Sequence, residues 1–328
     1  MNTLFPRTAV LVSALILATP VPAQTADEAI RAYPSKPIKL IVPLGAGGGT
    51  DVMARMAAKE LSEALGQPVV VENKPGVAAI IGTDFVAKAP PDGYTILVAP
   101  SSVLVVNPAT RKTLPYSTQK DFIPISIMGR LSLLLTVNAA SPYRNVKELV
   151  DFARAHPNEV SYASSSPLYQ LATELFKQKT GTAFLAIPYK SSGESTNALM
   201  GNQVTMSIAD IPVVASLVKA GKLRALAYTD THRNAGFPDV PTVAEAGLAG
   251  TEASTLVGLL APAGTPMPIV RKLQAVLVAM VKKPEVRERF AALGVEPVGS
   301  TSEEYAASIR TDMQLWADVV KRANIQPE

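Results

Sequence analysis

Not one of the 328 residues is cysteine. Disulfides, thiol nucleophiles and thiolate metal sites are therefore excluded together. Histidine is almost as scarce, with His156 beside a helix-ending proline and His232 in a polar loop. Neither has metal-ligating company at a useful spacing, and both read as surface or helix C-cap residues. General acid–base catalysis thus loses its usual agent. Aromatic residues make up 5% of the chain and Trp316 is the single tryptophan, which argues against a stacking platform for nucleic-acid bases. The net charge of +4 is small and scattered, with no basic run of the kind nucleic acid requires.

Long apolar runs are missing too. The longest near the start is Ala9 to Ala18, preceded by Arg7 and followed by the small-residue site Val21-Pro22-Ala23. That pattern is an export signal over residues 1–23 with cleavage near Ala23, too short for a membrane span of roughly twenty residues. No twin arginine and no cysteine near the cleavage site point to another export route or a lipid anchor. The expectation is a periplasmic protein, released as a monomer.

What remains is a globular composition, 48% hydrophobic and 18% charged, long enough for two domains. The most informative stretch is Lys39 to Arg55. Leu40, Ile41 and Val42 form a short β-branched run that reads as a strand covered on both faces. Gly45, Gly47, Gly48 and Gly49 follow, and after Thr50, the expected N-cap, Met53, Ala57, Leu61 and Leu65 recur at helical spacing. A helix start bare of side chains offers free N–H groups to an anion. Three readings stay open: a small-anion site, a purely structural turn, and a dinucleotide fingerprint with Glu72 at the end of the next strand. The third lacks its last glycine, and Thr50-Asp51 in place of Lys-Ser/Thr excludes a phosphate loop.

Strands at Val69–Val71 and Thr95–Ala99 flank a helix at Ile81–Lys88, and Leu133–Val137 is an apolar run expected to make the first crossing between domains. A second unit opens with a helix capped by Asn145 and Glu148. There the strand-turn-helix pattern returns: Val160–Ala163, then Ser164-Ser165-Ser166, then Pro167 at the first position of a helix that stops at Gly181. The three serines read as a cap with hydroxyl donors. A nucleophile would need a Gly-x-Ser-x-Gly elbow and a base, and neither is seen. Strands at Ala183–Tyr189, Val204–Ile208 and Leu223–Tyr228 continue the α/β alternation, and Asp210 at a strand end is either a site residue or the cap of the next helix. Thr255–Ala261 reads as a returning strand. Helices at Pro268–Lys282, Pro284–Leu293 and from Thr301 follow, the last expected to pack on the outside of the first domain through Ile309, Met313, Trp316 and Val320. Asp51 and Arg55, four apart, are spaced to pair.

Taken in order, several short motifs resemble the Bug-type extracytoplasmic solute receptors of tripartite tricarboxylate transporters. They are Tyr33-Pro34-Ser35-Lys36-Pro37-Ile38, the glycine turn with Thr50-Asp51 and Arg55, Val71-Glu72-Asn73-Lys74-Pro75-Gly76, and Pro91-Asp92-Gly93-Tyr94-Thr95. Further on come Lys120-Asp121-Phe122, Pro188-Tyr189-Lys190, Ala220-Gly221-Lys222-Leu223-Arg224, Pro238-Asp239-Val240-Pro241-Thr242 and Pro262-Ala263-Gly264-Thr265-Pro266. The resemblance implies a two-lobed α/β periplasmic binding fold, type II-like, with residues 33–133 plus 252–328 as one lobe and 134–251 as the other. It implies a non-enzymatic receptor without cofactor or metal, which binds a small carboxylate between the lobes and hands it to membrane transporter subunits or a signalling partner. The alternative is an exported oxidoreductase or hydrolase that uses the glycine turn for a cofactor. The ligand residues expected are Leu44, Gly45, Ala46, Gly47, Gly48, Thr50, Ser101, Ser102, Ser164, Ser165, Ser166, Tyr189, Ala209 and Asp210. Departures from the family pattern fall at Ala78-Ala79 in place of a glycine pair, at Gln170, at Ala209-Asp210 in place of Asp-Asn, and at Leu256 in place of a tryptophan. These positions are where ligand choice is expected to differ.

Overall fold

The computed structural model describes residues 26–233 and 236–327. The expected export signal lies outside them. The described chain divides after Tyr33: the short helix α1 (Ala26–Arg31) belongs to the first unit, and the chain from Pro34 onward forms the second.

In the larger unit, β1 (Ile38–Val42) has four of its five residues buried, as the continuous apolar run requires. It leads through the glycine turn to α2 (Gly49–Leu65). The strand β2 (Val69–Asn73) pairs parallel to β1. A 3-10 turn at Val77–Ala79 and α3 (Ile80–Ala87) return the chain to β3 (Thr95–Pro100), parallel to β1 on its other side. A π-helical turn, Ser102–Val106, and α4 (Asn107–Thr110) come next, neither of them legible as apolar periodicity.

The strand β4 (Phe122–Asn138) then runs for 17 residues. The apolar run 133–137 is therefore the second part of a longer strand. After α5 (Val146–Ala155), capped by Asn145 as its spacing predicts, come β5 (Val160–Ser164), α6 (Pro167–Thr180), β6 (Phe184–Pro188), α7 (Ser192–Met200), β7 (Met206–Asp210), α8 (Ile211–Lys219) and β8 (Leu223–Tyr228). The return strand β9 (Ser254–Pro262) precedes α9 (Met267–Met280), α10 (Pro284–Ala292), a short β10 (Val295–Pro297) and α11 (Ser302–Arg322). Thr301 and Glu304 complete the expected capping box of α11.

One long strand organises both sheets. From Phe122 to Ser132, β4 pairs antiparallel with β9, which pairs with β3; from Leu133 to Asn138 it pairs with β7 and β8 instead. The strands β7, β5 and β6 are mutually parallel. The sheets are thus mixed, and their strand ends converge where β4 changes partner. Helix α11 is not confined to the outside of the first sheet: it packs on β4, on α4 and on α6, where Gln178 Nε2 donates to the Val319 carbonyl at 3.1 Å. Tyr305, Ile309, Trp316 and Val320 are buried in that packing.

Candidate functional site

The glycine turn is held from below by one carboxylate. Asp51 Oδ2 accepts from the Gly47 N–H at 2.9 Å and from Arg55 Nε at 2.9 Å, while Oδ1 accepts from Asn73 Nδ2 at 2.9 Å. Asn73 Nδ2 also reaches the Leu44 carbonyl at 3.1 Å. Burial alone would push the Asp51 carboxyl up, but Arg55, the Gly47 N–H and Asn73 outweigh it and hold it below the usual carboxylate range. Gly47 has φ +85°, which favours glycine. The expected cap at Thr50 is corrected: Gly48 is the N-cap, without any side-chain cap bond, and Thr50 is the second residue of α2. Glycine at the cap leaves the first amides of a 17-residue helix open.

The serine turn is built differently. Ser166 caps α6, its hydroxyl accepting from the Tyr169 N–H at 3.3 Å, and Pro167 takes the first helical position. Ser195 Oγ donates to Ser165 Oγ at 3.4 Å, and the Ser164 carbonyl accepts from the Tyr189 N–H at 2.8 Å. No base stands beside these hydroxyls in the described contacts, in keeping with the capping role.

Between the two turns lies a cavity of about 410 Å³. Leu44 and Thr50 line it from the first turn, Ser102 from the π-helical turn, Ser166 from the second turn and Asp210 from the end of β7, all five among the expected ligand residues. The others sit elsewhere. Gly45, Ala46, Gly47 and Gly48 are exposed in the turn but do not line this cavity, where Gly49 does. Ser101 is buried and accepts from the Leu256 N–H at 3.0 Å, so it ties β3 to β9. Ala209 is buried in the sheet opposite Leu134, and Ser164, Ser165 and Tyr189 lie outside the lining. Of the positions expected to set ligand choice, Ala78 and Ala79 line the cavity; Gln170 and Leu256 do not.

Several lining residues went unread in the sequence. Asn107 Nδ2 donates to the Ala78 carbonyl at 2.8 Å and to Tyr116 Oη at 3.2 Å, and so props the loop that forms one wall. Tyr169 and Thr255 complete the opposite side. An asparagine before a proline and a threonine at a strand start carry no local signal of a site. Another cavity, of about 460 Å³, lies between α2 and α10 but touches neither turn. Glu72, the acid of the dinucleotide reading, is engaged by Lys74 at 2.6 Å and Lys39 at 3.5 Å.

Asp210 is the residue whose environment is most unusual. Its backbone occupies the cap position of α8, but its side chain makes no cap bond. Instead Oδ2 accepts from the Tyr169 hydroxyl at 3.0 Å, and Oδ1 is buried without a partner. Desolvation pushes its carboxyl up to about 6, although the hydroxyls of Tyr169 and Thr255 both favour the charged form. Burial likewise raises the Tyr169 hydroxyl above its ordinary range, with the Asp210 charge adding to it.

Residues 53–325 match the family model described as Tripartite tricarboxylate transporter family receptor. The chain belongs to this family. It is 39% identical over 308 residues to Protein BugT of Bordetella pertussis, covering 93% of this chain and 92% of that protein. Among solved structures it resembles R. palustris Rpa4515 with adipate (33% identity, TM-score 0.77, 90% of this chain and 100% of that one). It also resembles MatC (Rpa3494) from Rhodopseudomonas palustris with bound malate (29% identity, TM-score 0.72, 88% and 100%). The receptor has the mixed α/β fold of solved periplasmic binding proteins of this family, and relatives in the family are periplasmic. No helix among the described residues is long and apolar enough to cross a membrane, and no cluster of three or more metal-ligating side chains occurs among them.

Proposed function

We propose that this receptor closes on a small carboxylate in the cavity between the glycine and serine turns and presents it to the membrane subunits of a tripartite tricarboxylate transporter. The observation that carries the reading is that one cavity is lined by the starts of both α2 and α6, with Gly49 and Thr50 on one side and Ser166 and Pro167 on the other. Helix starts favour anions through the helix dipole and unpaired N–H groups. The start of α2 offers its first amides, whereas at α6 Pro167 has no N–H and the Tyr169 N–H is taken by Ser166, so that side contributes the dipole and the Leu168 N–H. One charge-assisted hydrogen bond contributes about 1.5 to 3 kcal/mol, whereas micromolar binding needs about 8 kcal/mol. A ligand held by both walls in the closed state reaches that range when its apolar part is also buried against Leu131, Val103 and Val257.

The lobes that close are residues 33–133 with 252–328, and residues 134–251, hinged where β4 exchanges β9 for β7. The protein acts as a monomer in the periplasm after cleavage near Ala23, and it carries out no catalysis. Membership in a receptor family supports this over an oxidoreductase or hydrolase.

Calorimetry and thermal shift against mono-, di- and tricarboxylates, aromatic acids and amino acids test the reading. At a hundredfold excess over Kd a true ligand raises stability by about 2.7 kcal/mol. A flat response across the panel would overturn it. Gly49→Leu puts a side chain into open space at the head of α2, so it should abolish binding in a folded protein; retained affinity removes this turn from the site.

A further inference from the structure

We propose that the ligand is an amino-carboxylate, bound with its carboxylate at the helix starts and its ammonium group addressed to Asp210, so that the receptor selects zwitterions over diacids. The inference rests on the carboxylate reading above. Among the residues that line the cavity there is no lysine, arginine or histidine, and Asp210 is the one charged side chain. A diacid would bring its second negative charge to a wall that already carries one, in a partly desolvated space where like charges repel strongly.

The same wall holds hydrogen-bonding capacity left unused. Asp210 Oδ1 and Thr255 Oγ1 are both buried with no group in full hydrogen-bond geometry; the Thr255 hydroxyl faces the Asp210 carboxyl closely enough to favour its charged form, and Thr255 is only 6% exposed. The two residues flank β4 from opposite sides, Asp210 opposite Leu133 and Thr255 opposite Leu131, which share one face of the strand. An ammonium brings three donors and a positive charge. It can satisfy both oxygens and compensate the carboxylate at once, whereas a hydroxyl supplies one donor and leaves the charge in place.

The groups that face Asp210 are few. Tyr169 reaches it from α6, Thr255 opens on the same space from β9, Leu133 stands beside it on β4, and Ile211 and Pro212 follow it on α8. Of the charged groups on those elements, Arg130 pairs through its guanidinium with Asp230 and Glu296, and Glu174 pairs with Lys177. The ionisation of Asp210 is therefore the titration that ligand binding should report.

Calorimetry on the purified chain with four- to six-carbon acids, each carrying an amino group, a hydroxyl, a second carboxylate or nothing, together with the common α-amino acids, tests the proposal. At pH 7.5 at least one amino acid should bind tenfold or more tighter than its matched diacid. Between pH 7.5 and 5 its affinity should fall about tenfold, the effect of one proton on a group titrating near 6, while any diacid affinity rises. Asp210→Asn should erase the preference and the pH dependence. If that variant does not fold, the opposite pH trends of the two ligand types on the unaltered chain decide. A diacid or hydroxy acid as tightest ligand, or an Asn variant that keeps its preference for amino acids, overturns the proposal and leaves the carboxylate reading intact. No binding by any acid overturns both.

Discussion

The Tyr169 hydroxyl donates to Asp210 Oδ2 at 3.0 Å while the other oxygen of the same carboxylate has no partner. A carboxyl so placed is easier to protonate in the fold than in the unfolded chain, where its value is near 3.8.

The sign of the pH dependence follows. Between about 4 and 6 the native state binds more protons than the unfolded state, so Asp210 makes stability fall as pH rises through that window and leaves it flat above. Asp312, also raised to about 6 by burial, acts in the same sense. Asp210→Asn should therefore be more stable than the parent by about 1–3 kcal/mol at pH 7 and equal to it at pH 4, as read from urea unfolding of the ligand-free protein.

Asp51 behaves oppositely. Its carboxyl is held low in the fold, so its contribution is present above pH 4 and is lost as the pH falls through the folded value. Asp51→Ala also leaves the Gly47 N–H without its acceptor. The expected cost is about 2–4 kcal/mol at pH 7, with an unfolding midpoint less sensitive to acid and faster hydrogen exchange at Gly47.

Ala78 and Ala79 both sit in the left-handed region, with φ of 50° and 62°. That conformation costs roughly 1–2 kcal/mol for an L-residue, partly offset by the greater chain entropy that glycine loses. Ala78→Gly should stabilise the protein by about 0.5–1 kcal/mol, although alanine to glycine in an ordinary helix destabilises. Ala79 is 2% exposed, so removing its methyl also forfeits packing and the net change should be near zero. Paired denaturant titrations separate the two.

Gly258 marks where α11 approaches β9. A Cβ there would lie 2.6 Å from Tyr305 Cε1 and 2.7 Å from the Ser126 carbonyl oxygen. Gly258→Ala should cost about 1–3 kcal/mol and lower the thermal midpoint, while Gly49→Leu, at a position with open space, should not.

Local chemistry made much of this legible. Apolar periods placed most strands and helices, Asn145, Pro167 and Thr301 announced helix starts through short-range capping, and the Asp51–Arg55 pair followed from helical spacing. Those signals act over three or four residues, so a sequence carries them openly. The partner exchange inside β4, the reach of α11 to α6, and the meeting of Asn107, Tyr169, Asp210 and Thr255 around one cavity depend on contacts between residues tens of positions apart. Burial and pairing there are properties of the assembled sheets. Asp210 shows the division most clearly: its place at a strand end was readable, but only the packing of β7 against α6 and β4 turned it from a helix cap into a carboxylate facing the cavity with one oxygen unpaired.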